Sequence, residues 1–272
     1  MKIHDFDGKF FEYAQTWLAL HPGLTEAQVE ERYNEIMSSW LDAPAKWLDG
    51  ETPGNYFNRY DNPKDLIKLV EEYDKRDIGL PEPLYARIVE LGERCAESLT
   101  RIAADEDRPE SIRASAIAML RDIGTDAPRL LFVDLASRCK EPNELSEMAS
   151  DILGASDDSV VDELLERYDG APEYAQMLIL DICSNFPKNE KVFEACMEKL
   201  RNRPDERAYY ASLLGKIGDP RAIETLQSFL TLSDLTYFDY IELRNAIEEL
   251  GGDAGEERTF YGDPDYEAMR NV

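Results

Sequence analysis

In the stretch from Leu213 to Leu230, LLGKIGDPRAIETLQSFL, a glycine, an aspartate and a proline separate two apolar helical runs. Gly218 follows the first run, where a residue without a Cβ atom readily takes the left-handed conformation that ends a helix. Asp219 offers a side-chain oxygen to the free N–H groups of the next helix, and Pro220 suits its first position because proline has no N–H. The stretch predicts a tight pair of antiparallel helices.

The second helix of this pair has a single apolar stripe. Its members recur at helical spacing and are Ala222, Ile223, Leu226, Phe229 and Leu230. Two amphipathic helices cannot bury such stripes by themselves, so the pair is expected to recur along the chain. Leu226 lies at the centre of the stripe and is expected to be buried.

Similar glycine breaks occur elsewhere in the chain. They lie at Gly92, Gly124, Gly154, Gly218 and Gly251, at spacings of 32, 30, 64 and 33 residues. The double interval predicts one repeat in which Ser184 and Asn185 replace the glycine. Asparagine tolerates the left-handed conformation better than most other residues.

A period near 32 residues, with two helices in each unit and a Gly-Asp-Pro turn, resembles the HEAT-like repeats of the phycobilin lyase type. The resemblance covers about residues 82 to 251 and is most specific from Gly218 to Ala222. It implies an all-α fold, a right-handed α-α superhelix. We therefore expect a helical N-terminal capping region over 1–80, a repeat array over 81–251 and an acidic C-terminal tail over 252–272. The alternative is an irregular helical bundle with chance spacing.

The first 80 residues contain all three tryptophans, Trp17, Trp40 and Trp47, among many other aromatic residues. These side chains form either the core of a cap on the first repeat or a ligand-binding pocket. Near the other end of the chain, Phe260, Tyr261 and Tyr266 interrupt an acidic segment and are candidates for docking on the last helices.

Three helices are expected in the capping region. The first spans Phe6 to Leu20. The second begins at Thr25, which forms a capping-box pattern with Gln28, and continues to about Leu41. The third follows Asn62-Pro63, and the proline- and glycine-rich segment before it is expected to be a loop.

Few residues suit a metal site or nucleophilic catalysis. The two histidines, His4 and His21, precede the repeats, and the chain lacks the His-Glu pairs of di-iron HEAT-like enzymes such as deoxyhypusine hydroxylases. The cysteines lie in apolar helical stretches without a C-x-x-C pair, which is typical of core residues in a reducing compartment: Cys95, Cys139, Cys183 and Cys196. Cys139, beside Lys140, is the best candidate for a thiol of low pKa. We predict no metal, no cofactor and no catalytic residue.

The charge balance constrains the partners. The chain has 30 basic and 57 acidic residues, a net charge of −27, which repels nucleic acid and anionic lipid. HEAT-like DNA glycosylases, by contrast, need a basic groove. The N-terminus lacks the apolar core of a signal peptide, and no apolar stretch reaches membrane-spanning length, so we expect a cytoplasmic protein that binds neither nucleic acid nor membrane.

If the apolar stripe of each second helix is buried, its intervening polar residues project elsewhere. Val160, Val161, Leu164 and Leu165 define one stripe, and the same phase selects Glu163, Glu166, Glu194, Glu198, Glu224 and Gln227, which we call the acidic ridge. In HEAT-like stacks the second helices line the concave side. The ridge predicts a non-enzymatic scaffold for protein-protein interaction with a basic protein or peptide. The alternative is a lyase-like enzyme or ligand-binding protein that uses an aromatic and acidic pocket near the N-terminal cap.

Overall fold

The computed structural model describes residues 2–186 and 189–270, and over these residues the regular structure is entirely helical. The all-α fold class expected from the sequence is confirmed. The chain divides into two compact units, one that extends to Leu131 and one that begins at Phe132.

The first unit contains seven α-helices within its described residues. They are α1 (Phe6–Leu20), α2 (Glu26–Glu31), α3 (Tyr33–Asp42), α4 (Pro63–Lys75), α5 (Glu82–Leu91), α6 (Glu93–Ala104) and α7 (Glu110–Ile123). The segment expected to be a loop contains two 3-10 helices, Lys46–Leu48 and Pro53–Arg59. The predicted bounds of α1 are confirmed. The predicted start of α4 is also confirmed, since the Asn62 side chain accepts a hydrogen bond from the backbone N–H of Lys64.

The predicted capping box also forms, because Thr25 Oγ1 accepts from the Gln28 N–H and Gln28 Oε1 accepts from the Thr25 N–H. The expectation of one continuous helix to Leu41 is wrong. The helix breaks at Arg32, whose N–H bonds to the Val29 carbonyl, three residues back, instead of four. The six residues of α2 bury no side chain, so no core contact holds them in line with α3.

The turn between α1 and α2 projects from the core of the first unit. No residue from Phe11 to Glu35 is buried, and the exposed fractions reach 63% for Phe11 and 73% for Leu20. Short helices without tertiary packing are only marginally stable in water. We call residues 11–35 the projecting hairpin.

Five of the aromatic residues in this unit form a buried core: Phe6, Trp40, Tyr56, Phe57 and Tyr73. The Phe6 ring contacts the rings of Trp40 and Phe57 at centroid distances of 6.2 and 5.3 Å. The Tyr73 hydroxyl donates a hydrogen bond of 3.0 Å to the His4 carbonyl, which ties the N-terminal segment to α4. Part of the aromatic set is therefore core, as one of the two sequence alternatives proposed.

The helices that follow along the chain are α8 (Arg129–Arg138), α9 (Glu144–Gly154), α10 (Ser159–Tyr168), α11 (Glu173–Ser184), α12 (Glu190–Asn202), α13 (Arg207–Ile217), α14 (Ile223–Leu230), α15 (Tyr237–Glu249) and α16 (Pro264–Arg270). The first helices of successive pairs, α9, α11, α13 and α15, pack against one another in chain order. The second helices α10, α12 and α14 each pack against the next first helix. The second unit is thus built from regularly paired helices.

The five glycines lie at or beside helix ends, as predicted. Gly124 and Gly218 are left-handed C-caps, Gly92 and Gly251 have positive φ next to helix termini, and Gly154 is the last residue of α9. At Gly218, φ is +69°, a conformation that most residues avoid, and the chain turns directly into a 3-10 helix that begins at Pro220.

The repeat without a glycine ends differently from the expectation. Asn185 is not left-handed, since its φ and ψ are −79° and −9°. Instead its side-chain amide donates to the carbonyls of Asp181 and Ile182, at 3.1 and 3.2 Å, and so satisfies the open end of α11. The same amide explains Gly154, because a Cβ there would lie only 3.3 Å from the Asn185 nitrogen.

One close helix contact was not anticipated from the sequence. Gly215 lies inside α13, where a Cβ would come within 3.3 Å of the Ala246 Cα on α15. Glycine weakens a helix interior, but here it allows two backbones to approach closely. The following segment also docks: the Phe260 ring is buried against the rings of Tyr237 and Tyr240.

The other two aromatic residues after Gly251 differ from each other. Tyr266 packs against the Tyr237 ring at 5.1 Å, whereas Tyr261 has an exposed fraction of 72%. The segment also contains regular structure, because α16 forms within it.

Leu226 provides a test of the repeat register. It is fully buried on α14, so Leu226→Ala should lower the free energy of unfolding by about 2 to 5 kcal/mol, the usual range for a buried leucine truncated to alanine. Urea denaturation of the purified protein measures this loss. Glu224→Ala, an exposed change on the same helix, is the control, and a loss below about 1 kcal/mol for Leu226→Ala would contradict the register.

Candidate functional site

The structure places the acidic ridge on the three second helices of the second unit. Glu166, Glu194, Glu198, Glu224 and Gln227 are exposed, and Glu163 is half-buried. Val160, Val161 and Leu164 are buried as predicted, but Leu165 is only half-buried. Glu163 and Leu165 lie on opposite sides of the stripe, which explains why each is partly covered.

The second helices that carry the ridge approach one another at two places. Glu198 on α12 is near Tyr168 at the end of α10. Burial, followed by the charges of Cys196 and Glu198, raises the pKa of the Tyr168 hydroxyl to about 12. The first turn of α12 is also joined to the turn before α14, through Arg221. The end of α10 therefore lies near α12, and the start of α12 lies beside the turn before α14.

The junction at Arg221 is a network that we call the arginine clamp. Arg221 Nη1 and Nη2 donate to the two carboxylate oxygens of Glu190, at 2.9 and 2.8 Å, and Nη2 also donates to Asp219 at 2.9 Å. The guanidinium lies 4.4 Å from the centroid of the Phe193 ring. Bidentate pairing and stacking on an aromatic ring both suit arginine and not lysine. The clamp fixes the start of α14 against α12.

The ridge residues differ in what they already contact. Gln227 Nε2 donates to the Asp253 carbonyl at 2.7 Å, so Gln227 holds the segment after α15. Within residues 2–186 and 189–270, Glu166, Glu194, Glu198 and Glu224 form no ion pair. These four carboxylates, which we call the open carboxylates, remain accessible to a partner.

A second candidate site lies in the first unit, beside the base of the projecting hairpin. It is a cleft with a volume of about 340 Å³, which we call the aromatic cleft. Its lining residues come from α1, α3 and the segment that starts α5: Phe6, Asp7, Phe10, Tyr33, Met37, Trp40, Leu80, Glu82, Pro83 and Tyr85. The cleft combines aromatic and acidic side chains, the combination expected of the alternative function.

Helical spacing brings these residues together. Tyr33, Met37 and Trp40 lie on one face of α3, and Asp7 and Phe10 lie on one face of α1. The Tyr85 hydroxyl donates to an Asp122 carboxylate oxygen at 2.5 Å, and burial, followed by this bond, raises the pKa of Tyr85. The helical spacing of the lining residues within α1 and within α3 can be read from the sequence. The contribution of Glu82 and Tyr85 to the cleft cannot be read from it.

The cysteines are placed in the core. All four thiols are buried, and burial raises the pKa of each of them, to about 12 for Cys183 and Cys196. The interpretation of Cys139 as the best low-pKa thiol is therefore wrong. Its Sγ donates to the Ala136 carbonyl at 3.2 Å, and removal from water outweighs any effect of Lys140.

The part of the chain that the structure describes has neither a cluster of metal ligands nor a membrane-spanning helix. No group of three or more His, Cys, Asp or Glu side chains in that part of the chain is arranged to hold a metal ion. None of its helices combines the length and the apolar character needed to cross a bilayer. Comparison of the chain with protein-family models and with curated proteins finds no match.

The arginine clamp should make stability depend on acid pH. Hydrogen bonds from Arg221 lower the pKa of Glu190 below its ordinary value of 4.5. A lowered pKa in the folded state stabilises the protein above the unfolded pKa, and this stabilisation is lost as the pH falls through the folded value. Arg221→Met should therefore destabilise the protein at neutral pH, and the difference from the wild type should shrink below about pH 4.5. Thermal melts across this range measure it, and a constant difference would contradict the role of Glu190.

The buried thiols predict chemical inertness. In the folded protein none of the four cysteines should react with Ellman's reagent at mildly alkaline pH, because their thiolates are not formed and their sulfur atoms are covered. In concentrated urea all four should react rapidly. Fast labelling of Cys139 under native conditions would contradict this prediction and would show that Cys139 is a reactive thiol.

Proposed function

We propose that this chain is a non-enzymatic HEAT-like repeat scaffold that binds a basic protein or peptide through the acidic ridge. The paired helices of the second unit, the period near 32 residues and the glycines at helix ends support repeats of this type. In that family such pairs stack into a right-handed superhelix whose second helices line the concave side. The acidic ridge lies on those helices.

The observation that carries the proposal is the contrast between the cations and the open carboxylates of the second unit. Several basic residues here are engaged within the unit, in the pairs Arg167–Asp134, Arg203–Glu173, Lys216–Asp181 and Arg221–Glu190. Over the described residues the four open carboxylates form no such pairs, and they are exposed on three successive second helices. An excess of one charge on a surface speeds the encounter with an oppositely charged partner.

The chemistry of the carboxylates points to arginine or lysine side chains on the partner. A guanidinium forms two parallel hydrogen bonds with one carboxylate, which gives geometric as well as electrostatic selectivity. Exposed charges are screened over about 10 Å at 0.1 M salt, so the association rate should fall steeply as salt is added.

The test is binding of a short arginine-rich peptide, with its neutral citrulline counterpart as the control ligand. Glu166→Gln/Glu194→Gln/Glu198→Gln should weaken binding by about tenfold or more at low salt, since each lost charge contact contributes on the order of 0.5 kcal/mol or more. The matched control is Glu141→Gln/Glu144→Gln/Glu147→Gln, which removes the same charge from exposed positions at and before α9. Equal losses in the two variants would show a general charge effect and would contradict the ridge.

A second function, recognition of a small ligand near the N-terminal cap, is supported by the aromatic cleft. A cleft of about 340 Å³ is within the size range of small-molecule sites. Quenching of tryptophan fluorescence by a small ligand distinguishes the two functions, because Trp40 lies in the aromatic cleft and the ridge helices contain no tryptophan.

A further inference from the structure

The walls of the aromatic cleft are rings that meet at steep angles. The Phe10 ring contacts the Tyr33 ring at 5.8 Å and 81°, and the Trp40 ring at 5.4 Å and 64°. Trp40 is 6% exposed and is held by Phe6 behind it, at 6.2 Å and 89°. Rings in this arrangement form a corner, and a ligand in the corner contacts more than one aromatic face.

The charge of the cleft has one sign. Asp7 and Glu82 are exposed lining residues, and neither forms an ion pair with the described part of the chain. No lysine, arginine or histidine occurs among the described lining residues. Aromatic faces and carboxylates both attract positive charge, so the two kinds of wall favour the same class of ligand.

We propose that the aromatic cleft binds an alkylated ammonium group, of which trimethylammonium is the simplest form. A bare ammonium is compact and strongly hydrated, so its transfer into an aromatic corner is costly. Methyl groups spread the charge, weaken hydration and add apolar surface that packs on Phe10, Tyr33 and Trp40. Asp7 and Glu82 supply the compensating charge at the rim of the cleft.

The position of the cleft gives its ligand a structural effect. Tyr33 belongs to the projecting hairpin, none of whose residues is buried, whereas Trp40 belongs to the core of the first unit. A ligand held between them adds a contact that the hairpin lacks. Ligand binding should therefore slow amide hydrogen exchange in α2 and at the start of α3.

Two sources can supply the group. One is a free trimethylammonium compound, and this form of the proposal is independent of the acidic ridge. The other is a trimethyllysine side chain on a basic polypeptide, and this form rests on the proposed scaffold function. The same chemistry recognises both, so separate ligands are needed to tell them apart.

The first experiment uses the wild-type protein and a matched pair of ligands. Choline is titrated against its neutral carbon isostere, in which a tert-butyl group replaces the trimethylammonium group, and the indole N–H signal of Trp40 is followed by NMR. Choline should shift this signal saturably, and the isostere should bind about tenfold more weakly, the difference that a partly desolvated cation–π contact provides. Equal affinity of the two ligands, or no saturable shift by choline, overturns the proposal.

The second experiment locates the site with variants. Tyr33→Leu should weaken choline binding by about tenfold, whereas Phe11→Leu, an exposed aromatic on the same hairpin that does not line the cleft, should leave it unchanged. Circular dichroism verifies that both variants fold. Equal effects of the two changes would place the ligand elsewhere and overturn the assignment.

The carboxylates are tested in the same way. Asp7→Asn/Glu82→Gln should weaken choline binding, and Glu31→Gln/Glu35→Gln, which removes the same charge from exposed hairpin positions, should not. A larger effect of the second pair would contradict the role of the rim.

The final arm compares choline with a short peptide that contains trimethyllysine and with the same peptide carrying unmodified lysine. Tighter binding of the methylated peptide than of choline identifies a polypeptide as the source, and equal or weaker binding identifies a free compound. Tighter binding of the unmodified peptide than of its methylated form overturns the proposal, because the aromatic corner would then not be recognising methyl groups.

Discussion

The second helices of the repeats depend on the burial of a single apolar stripe against the first helix that follows. A helix as short as α14, with eight residues, is marginal in water, so its stability comes from packing and not from its own hydrogen bonds. Leu226 is fully buried in this contact. The glycine that ends α13 and the arginine clamp both support this contact, because they set the angle and position at which the stripe of α14 packs against the neighbouring helix.

Charge is distributed around this packing in a consistent way. The arginine clamp and the other ion pairs of the second unit join neighbouring helices, and each of them uses one of the chain's 30 basic residues. With 57 acidic residues, many carboxylates have no cation to pair with. The open carboxylates are part of this surplus, and they lie on three successive second helices.

The core of the first unit is built in part from aromatic residues. Phe6, Tyr56 and Phe57 are buried in one cluster of contacting rings, which gives the unit a core where the helical period is lost. The same helices, α1 and α3, extend past this cluster into the projecting hairpin. Phe10 and Tyr33 lie at the transition between core and hairpin, and for that reason they line a cleft instead of filling the interior.

Sequence alone is enough to predict the helical class, the bounds of α1, the capping box at Thr25, and the helix ends at Gly124 and Gly218, because each follows from residues within a few positions of one another. It also predicted the exposed face of α12, since Glu194 and Glu198 follow directly from the helical period.

The packing partners of each element, by contrast, are set by the folded arrangement of the helices. Asn185 ends α11 by means of its side chain, Gly215 faces Ala246, and Gln227 holds the segment near Asp253. Glu82 joins Phe10 and Tyr33 in the aromatic cleft although it is distant from them in sequence. These contacts depend on the separation and angle of packed helices, and the period of a single helix carries no information about either.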